Sequence, residues 1–371
     1  MSDIEPRTLL LAGGLLIGVL FGVVARWSAF CVRGAVEDAL TTPDAPRLRG
    51  YLLAVVVALV GVQALIAFAG LDLSKTIYLS TALPLGGLVI GGLAFGVGMV
   101  LAGGCGARLL VLAAGGNLRS VVTLIVLGLT AYATLRGVLA PARQALASAT
   151  SVDFAGAGLA APTLAAVAAR AWGATPLIGQ ILVGLAISIP ILAYVARRRV
   201  AARHLVGGAL VGLLVPAAFA LTGIVAVDEF NPVPPDGLTV TGPLAQTLVY
   251  GLTYTGAAMD FGIAWALGIP LGAGALAAAR GELKLEGFDG ARHTLRYLAG
   301  GALMGVGGVL SLGCTVGQGL TGVSTLSIGS LIAIAAIVAG AAAALKWRAL
   351  TASPRPAATA GRAPANVVAS F

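Results

Sequence analysis

The chain has 371 residues, is 58% hydrophobic and only 10% charged, and carries a formal net charge of +9. A soluble protein of this length would carry about a quarter charged residues, so the composition excludes a water-soluble enzyme and points to an integral membrane protein with many spans. The positive charge does not indicate nucleic acid, because the Arg and Lys residues sit in short loops between apolar runs, the arrangement that orients membrane helices.

In chain order the apolar runs predict nine spans: Leu9–Ala25, Tyr51–Leu71, Pro84–Ala102, Leu118–Val138, Pro176–Val195, Leu205–Ile224, Phe261–Ala279, Tyr297–Leu312 and Leu326–Leu345. They are too long and too often interrupted by Gly and Pro for strands, so the fold class is all-α and polytopic rather than a barrel. The first run follows Asp3 and Glu5, and a signal peptide needs a basic start. It therefore reads as a span. Two further segments, Ala29–Leu40 and Pro243–Ala258, are too short to cross and read as half-helices at matching places in the two halves. Pro141 to Thr175 reads as an Ala-rich outer segment with short surface helices. Trp27, Trp172, Trp265 and Trp347 fall near span ends, where interface anchoring is expected. Asp260 stands where it would cap the helix that starts at Phe261.

Loop charge sets the predicted orientation. Basic clusters at Arg197–Arg199 with Arg203, at Arg280 to Arg296, and after the last span belong in the cytoplasm. The loop with Asp228, Glu229 and Asp236 and no Lys or Arg belongs outside. The N-terminus is then outside and the C-terminus cytoplasmic. Three parts follow: a first membrane half over 1–175, a second over 176–351, and a disordered cytoplasmic tail over 352–371 rich in Ala, Pro and Ser.

One stretch occurs twice. Gly91–Cys105 reads GGLAFGVGMVLAGGC and Gly300–Cys314 reads GGALMGVGGVLSLGC, and nine of fifteen positions match without a gap at an offset of 209 residues. Small residues that let membrane helices approach closely would explain the glycines. They do not explain why both copies end on Gly-Cys in a chain with three cysteines. By the predicted topology the copies enter the membrane from opposite sides, an inverted-topology repeat of the kind common in transporters.

The chemistry is expected at those ends. After Gly104-Cys105 comes Gly106-Ala107-Arg108, and after Gly313-Cys314 comes Thr315-Val316-Gly317-Gln318-Gly319. A short helix restarting there would aim unpaired N–H groups and its positive dipole end at the break, which suits an anion. A thiol is a weak donor, better matched to a soft sulfur atom than to a hard oxygen. Cys31, before the first half-helix, is open between a ligand and a small buried packing residue. Arg33 and Arg108 could attract an anion, with Arg33 read as a solvated loop residue. His204 and His293 lie in basic loops away from the cysteines, so no metal set at recognisable spacing is expected. No cofactor motif is present either, since the Gly runs follow no strand and no Walker loop occurs.

Phe30-Cys31-x-Arg33-Gly-Ala, the span ending Gly104-Cys105, and Leu312-Gly313-Cys314-Thr-x-Gly317-x-Gly319-Leu320-x-Gly322 together resemble the YeeE/YedE family of bacterial inner-membrane sulfur transporters. The resemblance covers nearly the whole chain. It implies a permease rather than an enzyme, importing thiosulfate or a related small sulfur anion through a pore lined by thiols. The substrate-binding residues it implies are Cys31, Cys105 and Cys314, with Gly104 and Gly313 at the breaks and Arg108 beside them. It also implies the lipid bilayer and a cytoplasmic sulfur-carrier protein as candidate partners, and no nucleic acid. A membrane thiol redox or sulfur-relay protein, a transporter of selenium or another sulfur compound, and a scaffold subunit are the alternatives.

Overall fold

The computed structural model describes residues 5–154, 161–173, 175–228, 233–288 and 290–351. The expected tail over 352–371 lies outside the described residues. The helices are α1 (Pro6–Ser28), α2 (Val32–Thr41), α3 (Pro46–Ala69), α4 (Leu85–Leu101), α5 (Gly106–Ala113), α6 (Leu118–Leu135), α7 (Ala140–Thr150), α8 (Leu164–Trp172), α9 (Pro176–Ala196), α10 (Ala202–Ala220), α11 (Thr241–Leu252), α12 (Phe261–Ala279), α13 (Ala291–Leu310) and α14 (Ile328–Thr351). A wide helical turn over Gly317–Gly322 takes the place of α5 in the second copy. Among the described residues, eight helical stretches are long and apolar enough to cross a membrane. The remaining expected span, Tyr297–Leu312 in α13, is less apolar because Arg292, His293 and Arg296 fall in the helix's first turns. The helix is still 20 residues long and packs against both α4 and α6. An all-α expectation misses one detail, a short antiparallel pair of Ala82–Pro84 with Ser151–Asp153.

Glycine contacts reveal how the helices run. A Cβ on Gly91 would lie 2.7 Å from the Gly307 carbonyl oxygen, and one on Gly98 would lie 2.7 Å from that of Gly300. So α4 and α13 cross antiparallel, with glycine on both sides of the seam, and exchanging the copies maps one contact onto the other: Gly91 shifts by 209 to Gly300 while Gly307 shifts back by 209 to Gly98. Gly92 faces Ala333 and Ala336 while Gly96 faces Ile337 and Ala341, so α4 and α14 run parallel; Gly301 against Thr123 and Gly305 against Thr130 make α13 and α6 parallel too. The outer pairs repeat the scheme. Gly14 and Gly22 on α1 meet Phe261 and Ala273 on α12, and Gly50 and Gly61 on α3 meet His204 and Pro216 on α10. Gly13 meets Leu221 and Gly207 meets Ser28, so α1 and α10 run antiparallel, and each equivalent pair of helices is therefore antiparallel, as an inverted repeat requires.

The repeat also explains why the described helices make nine crossings once α13 is counted with the eight. Each copy has four: α1, α3, α4 and α6, then α10, α12, α13 and α14. Four spans return the chain to its starting side, so one extra crossing must intervene to invert the second copy. That is α9, which has the least buried of the candidate spans, with 17% of its apolar window inside the protein.

Loops sort to two ends. At one, Arg26 bonds Glu282 at 3.1 Å, Arg119 bonds Glu286 at 3.2 Å, and buried Arg49 donates to the Val195 carbonyl at 3.0 Å at the close of α9. There too Asp38, 3% exposed, takes three hydrogen bonds from Arg47 and fixes the α2–α3 turn. At the other, Ser327 donates to the Tyr78 carbonyl and Thr222 to that of Asp236. Asp260 caps α12 as expected, accepting from the Ile263 N–H at 2.8 Å.

Trp265 corrects the sequence reading. It is fully buried, meets Phe21 edge-on at 5.1 Å and donates to the Thr239 carbonyl at 2.7 Å, so it is a core residue. Trp27 and Trp347 are exposed, as interface anchors should be. The side chain of Trp172 lies outside the described set.

Candidate functional site: four helix starts around three thiols

The three cysteines share one local structure. Cys31 is the N-cap of α2 in extended conformation, and its Sγ accepts from the Gly34 N–H at 3.4 Å. Cys105 is the N-cap of α5, also extended. Cys314 opens the turn that leads into Gly317–Gly322, and its Sγ accepts from the Gly317 N–H at 3.5 Å. In each case a thiol sits where Ser or Asp normally receives the first orphan N–H of a helix. All three are free, Cys105 and Cys314 buried and Cys31 half-buried.

These starts converge. Cys31 and Cys105 line one small cavity together with Phe21, Phe30, Arg108 and Val316, which lies two residues past Cys314. The cavity has about 10 Å³, room for a single water. The start of α11 joins them, since a Cβ on Gly106 would lie 3.3 Å from the Val240 side chain. Thr239 packs against Gly317, and Thr321 donates to the Leu238 carbonyl at 2.8 Å. Four helix N-terminal ends thus meet at one constriction, three headed by a thiol and one by Val240. Their partial positive charges add there.

The breaks are built as the repeat predicts, one residue earlier than expected. The left-handed positions are Gly103, at φ +81°, and its equivalent Leu312, at φ +57°. Gly104 serves through lack of bulk, since a Cβ on it would lie 3.0 Å from the Arg108 Cγ; Gly313 combines a close approach, 3.3 Å from the Gln318 Cγ, with φ +158°, a conformation that side-chain-bearing residues rarely adopt. Arg33 also departs from its expected role as a solvated loop residue. Its side chain is 20% exposed, it reaches the Gly103 carbonyl at 3.5 Å, and its Nε is buried without a partner. Arg348 approaches the same helix end, 3.5 Å from the Val100 carbonyl.

Sequence reasoning missed the hydroxyls. Tyr51 Oη lies within electrostatic range of Cys105 and Cys314, Tyr78 Oη within range of Cys314, and the Thr315 hydroxyl beside Cys105. A Tyr near a span end reads as an interface anchor, and nothing in the sequence says that these rings turn inward.

Residues 27–343 match the family model described as sulphur transport. The chain belongs to that family. It is also similar to two curated relatives, each called thiosulfate transporter TsuA. The one from Spirochaeta thermophila is 29% identical over 329 residues, covering 86% of this chain and 93% of the relative. The one from Escherichia coli is 27% identical over 322 residues, covering 84% and 87%. This member of the sulfur-transport family is thus a polytopic membrane protein with the family's match running through all three cysteines and both breaks.

Proposed function

We propose that this chain imports thiosulfate across the bacterial inner membrane, with the terminal sulfur passing Cys31, Cys105 and Cys314 and with Gly104, Gly313 and Arg108 shaping the path beside them. The observation that carries this is the convergence of three thiol-headed helix starts on one constriction. Neutral S–H groups are weak donors that suit a polarisable sulfur, while the converging N-termini, Arg33 and Arg108 offset the anion's charge. Membrane halves over 1–175 and 176–351, with the Arg-rich end in the cytoplasm, complete the reading; a separate sulfur-carrier protein would take the product there. The names of the two relatives support this substrate.

The test is uptake of labelled thiosulfate into proteoliposomes, with and without a pH gradient. An inside-negative potential of 100 mV opposes a dianion by about 4.6 kcal/mol, so the second arm reveals whether protons travel with it. Absence of uptake in both arms overturns the reading.

One observation favours a second reading. Cys31 and Cys105 are 74 residues apart in sequence yet line one cavity, so thiol–disulfide exchange has a candidate pair. A stable Cys31–Cys105 disulfide trapped during turnover and found by mass spectrometry would favour the redox relay over the permease.

A further inference from the structure

Hydroxyl groups without partners gather where the thiols meet. Tyr51 Oη, Tyr78 Oη, Thr315 Oγ1 and Ser330 Oγ are buried and have no hydrogen-bonded oxygen or nitrogen partner. The residues that bear them are 8%, 3%, 0% and 1% exposed. Buried polar atoms are nearly always paired, and each exception calls for a reason. All four flank one segment. A side chain on Gly319 would strike the Tyr51 hydroxyl, and one on Gly322 the Ser330 hydroxyl. One on Gly317 would lie 3.3 Å from Tyr78 Oη. Thr315 belongs to the segment itself. Glycine at 317, 319 and 322 keeps these oxygens close to bare backbone, with no side chain between them.

The thiols alone cannot serve the whole ion. Thiosulfate presents one soft sulfur and three hard oxygens, and the oxygens need stronger donors than S–H. Tyr and Thr hydroxyls are such donors. The Cys105 sulfur beside Thr315 is a weak acceptor, and a sulfonate oxygen would displace it.

Resting on the reading of this protein as a thiosulfate permease, we propose that Tyr51 and Thr315 bind the sulfonate oxygens at the constriction while the cysteines hold the sulfur, and that Tyr78 does the same one step along the segment. The substrate is then read at both ends: thiols select the sulfur, hydroxyls select the oxyanion. Sulfide-like ions would lack the second set of contacts, and sulfate would lack the first.

The test uses full-length Tyr51→Phe, Thr315→Val and Tyr78→Phe proteins in proteoliposomes, with melting measured separately with and without thiosulfate. Removing a hydroxyl with no partner, or in Thr315 with only the weakly accepting Cys105 sulfur, breaks no strong bond in the empty protein, so the melting temperature without substrate should hold or rise. The KM for thiosulfate should rise roughly tenfold or more in Tyr51→Phe and in Thr315→Val, as expected when a hydrogen bond to a charged group is removed. The stabilisation that thiosulfate gives to wild type should shrink in parallel. If the KM of both variants stays within about twofold of wild type, the hydroxyls do not touch the ion. A lowered melting temperature in the empty variants would show that the hydroxyls bond to protein, and would equally overturn the proposal. Failure of the permease reading is distinguishable, because wild type itself would then take up no thiosulfate.

Discussion

Cys31 and Val240 occupy equivalent positions, 209 residues apart, each the N-cap of a short helix, and only one of them carries a thiol. The other equivalent pair, Cys105 and Cys314, has kept both. The scaffold is symmetric and the chemistry is not. Cys31 is also the least buried of the three.

Cysteine replacements should reflect that difference. Cys105→Ser and Cys314→Ser are each expected to lose most thiosulfate uptake, nearly as much as the Ala variants, because a hydroxyl is a harder and more strongly hydrated donor than a thiol. Cys31→Ser should lose less. Normal uptake by the Ser variants at 105 and 314 would mark these cysteines as core residues.

Bulk at the breaks should stop transport without stopping insertion. Gly104→Leu would press on the flexible Arg108 side chain, so its membrane level should hold, whereas Gly313→Leu also strains the backbone at φ +158° and its membrane level should fall somewhat. Uptake should fall below about a tenth of wild type, which corresponds to about 1.4 kcal/mol or more added to the barrier at the constriction. Immunoblots of membrane fractions alongside uptake separate the two effects. Full activity in both variants would reduce the breaks to helix packing.

Orientation is checked by thiol labelling in intact cells. A cysteine introduced at Asp228 should react with an impermeant reagent, and one introduced at Arg198 should not. The reverse pattern would turn the whole path around.

Asp236 should make stability depend on pH. It lies in the loop before α11, and burial pushes its carboxyl up to about 6, with nearby Asp260 adding to the rise and the Gly237 N–H opposing it. A raised acid favours the folded state while protonated, so this contribution is present below the ordinary value of 3.8 and is lost as pH climbs through about 6. Asp236→Asn should therefore melt higher than wild type at pH 8, and the gap should close by about pH 4. A gap of the same size at both pH values would assign the effect to shape.

The sequence is most legible where symmetry and hydropathy agree. Span Phe261–Ala279 matches α12 at both ends, and the 209-residue offset already pairs α4 with α13. Both half-helices are readable because they are too short to cross. What hydropathy misses is direction within the interior. Trp265 lies near a span end and reads as an anchor, yet it is buried, and no sequence pattern marks Tyr51 as buried either. The left-handed residue of the second break is Leu312, not a glycine, so glycine counting places the bend one residue late. Arg33 reads as loop charge in the sequence, and only the folded chain sets the Gly103 carbonyl beside it.

The cavity between Cys31 and Cys105 has room for one water. A lone water cannot form the continuous file along which protons hop, so the cavity between these two thiols carries no water wire. On the reading proposed above, a membrane can hold many closed copies of such a permease and still keep its proton gradient, because no wire of water crosses the point where the thiols meet.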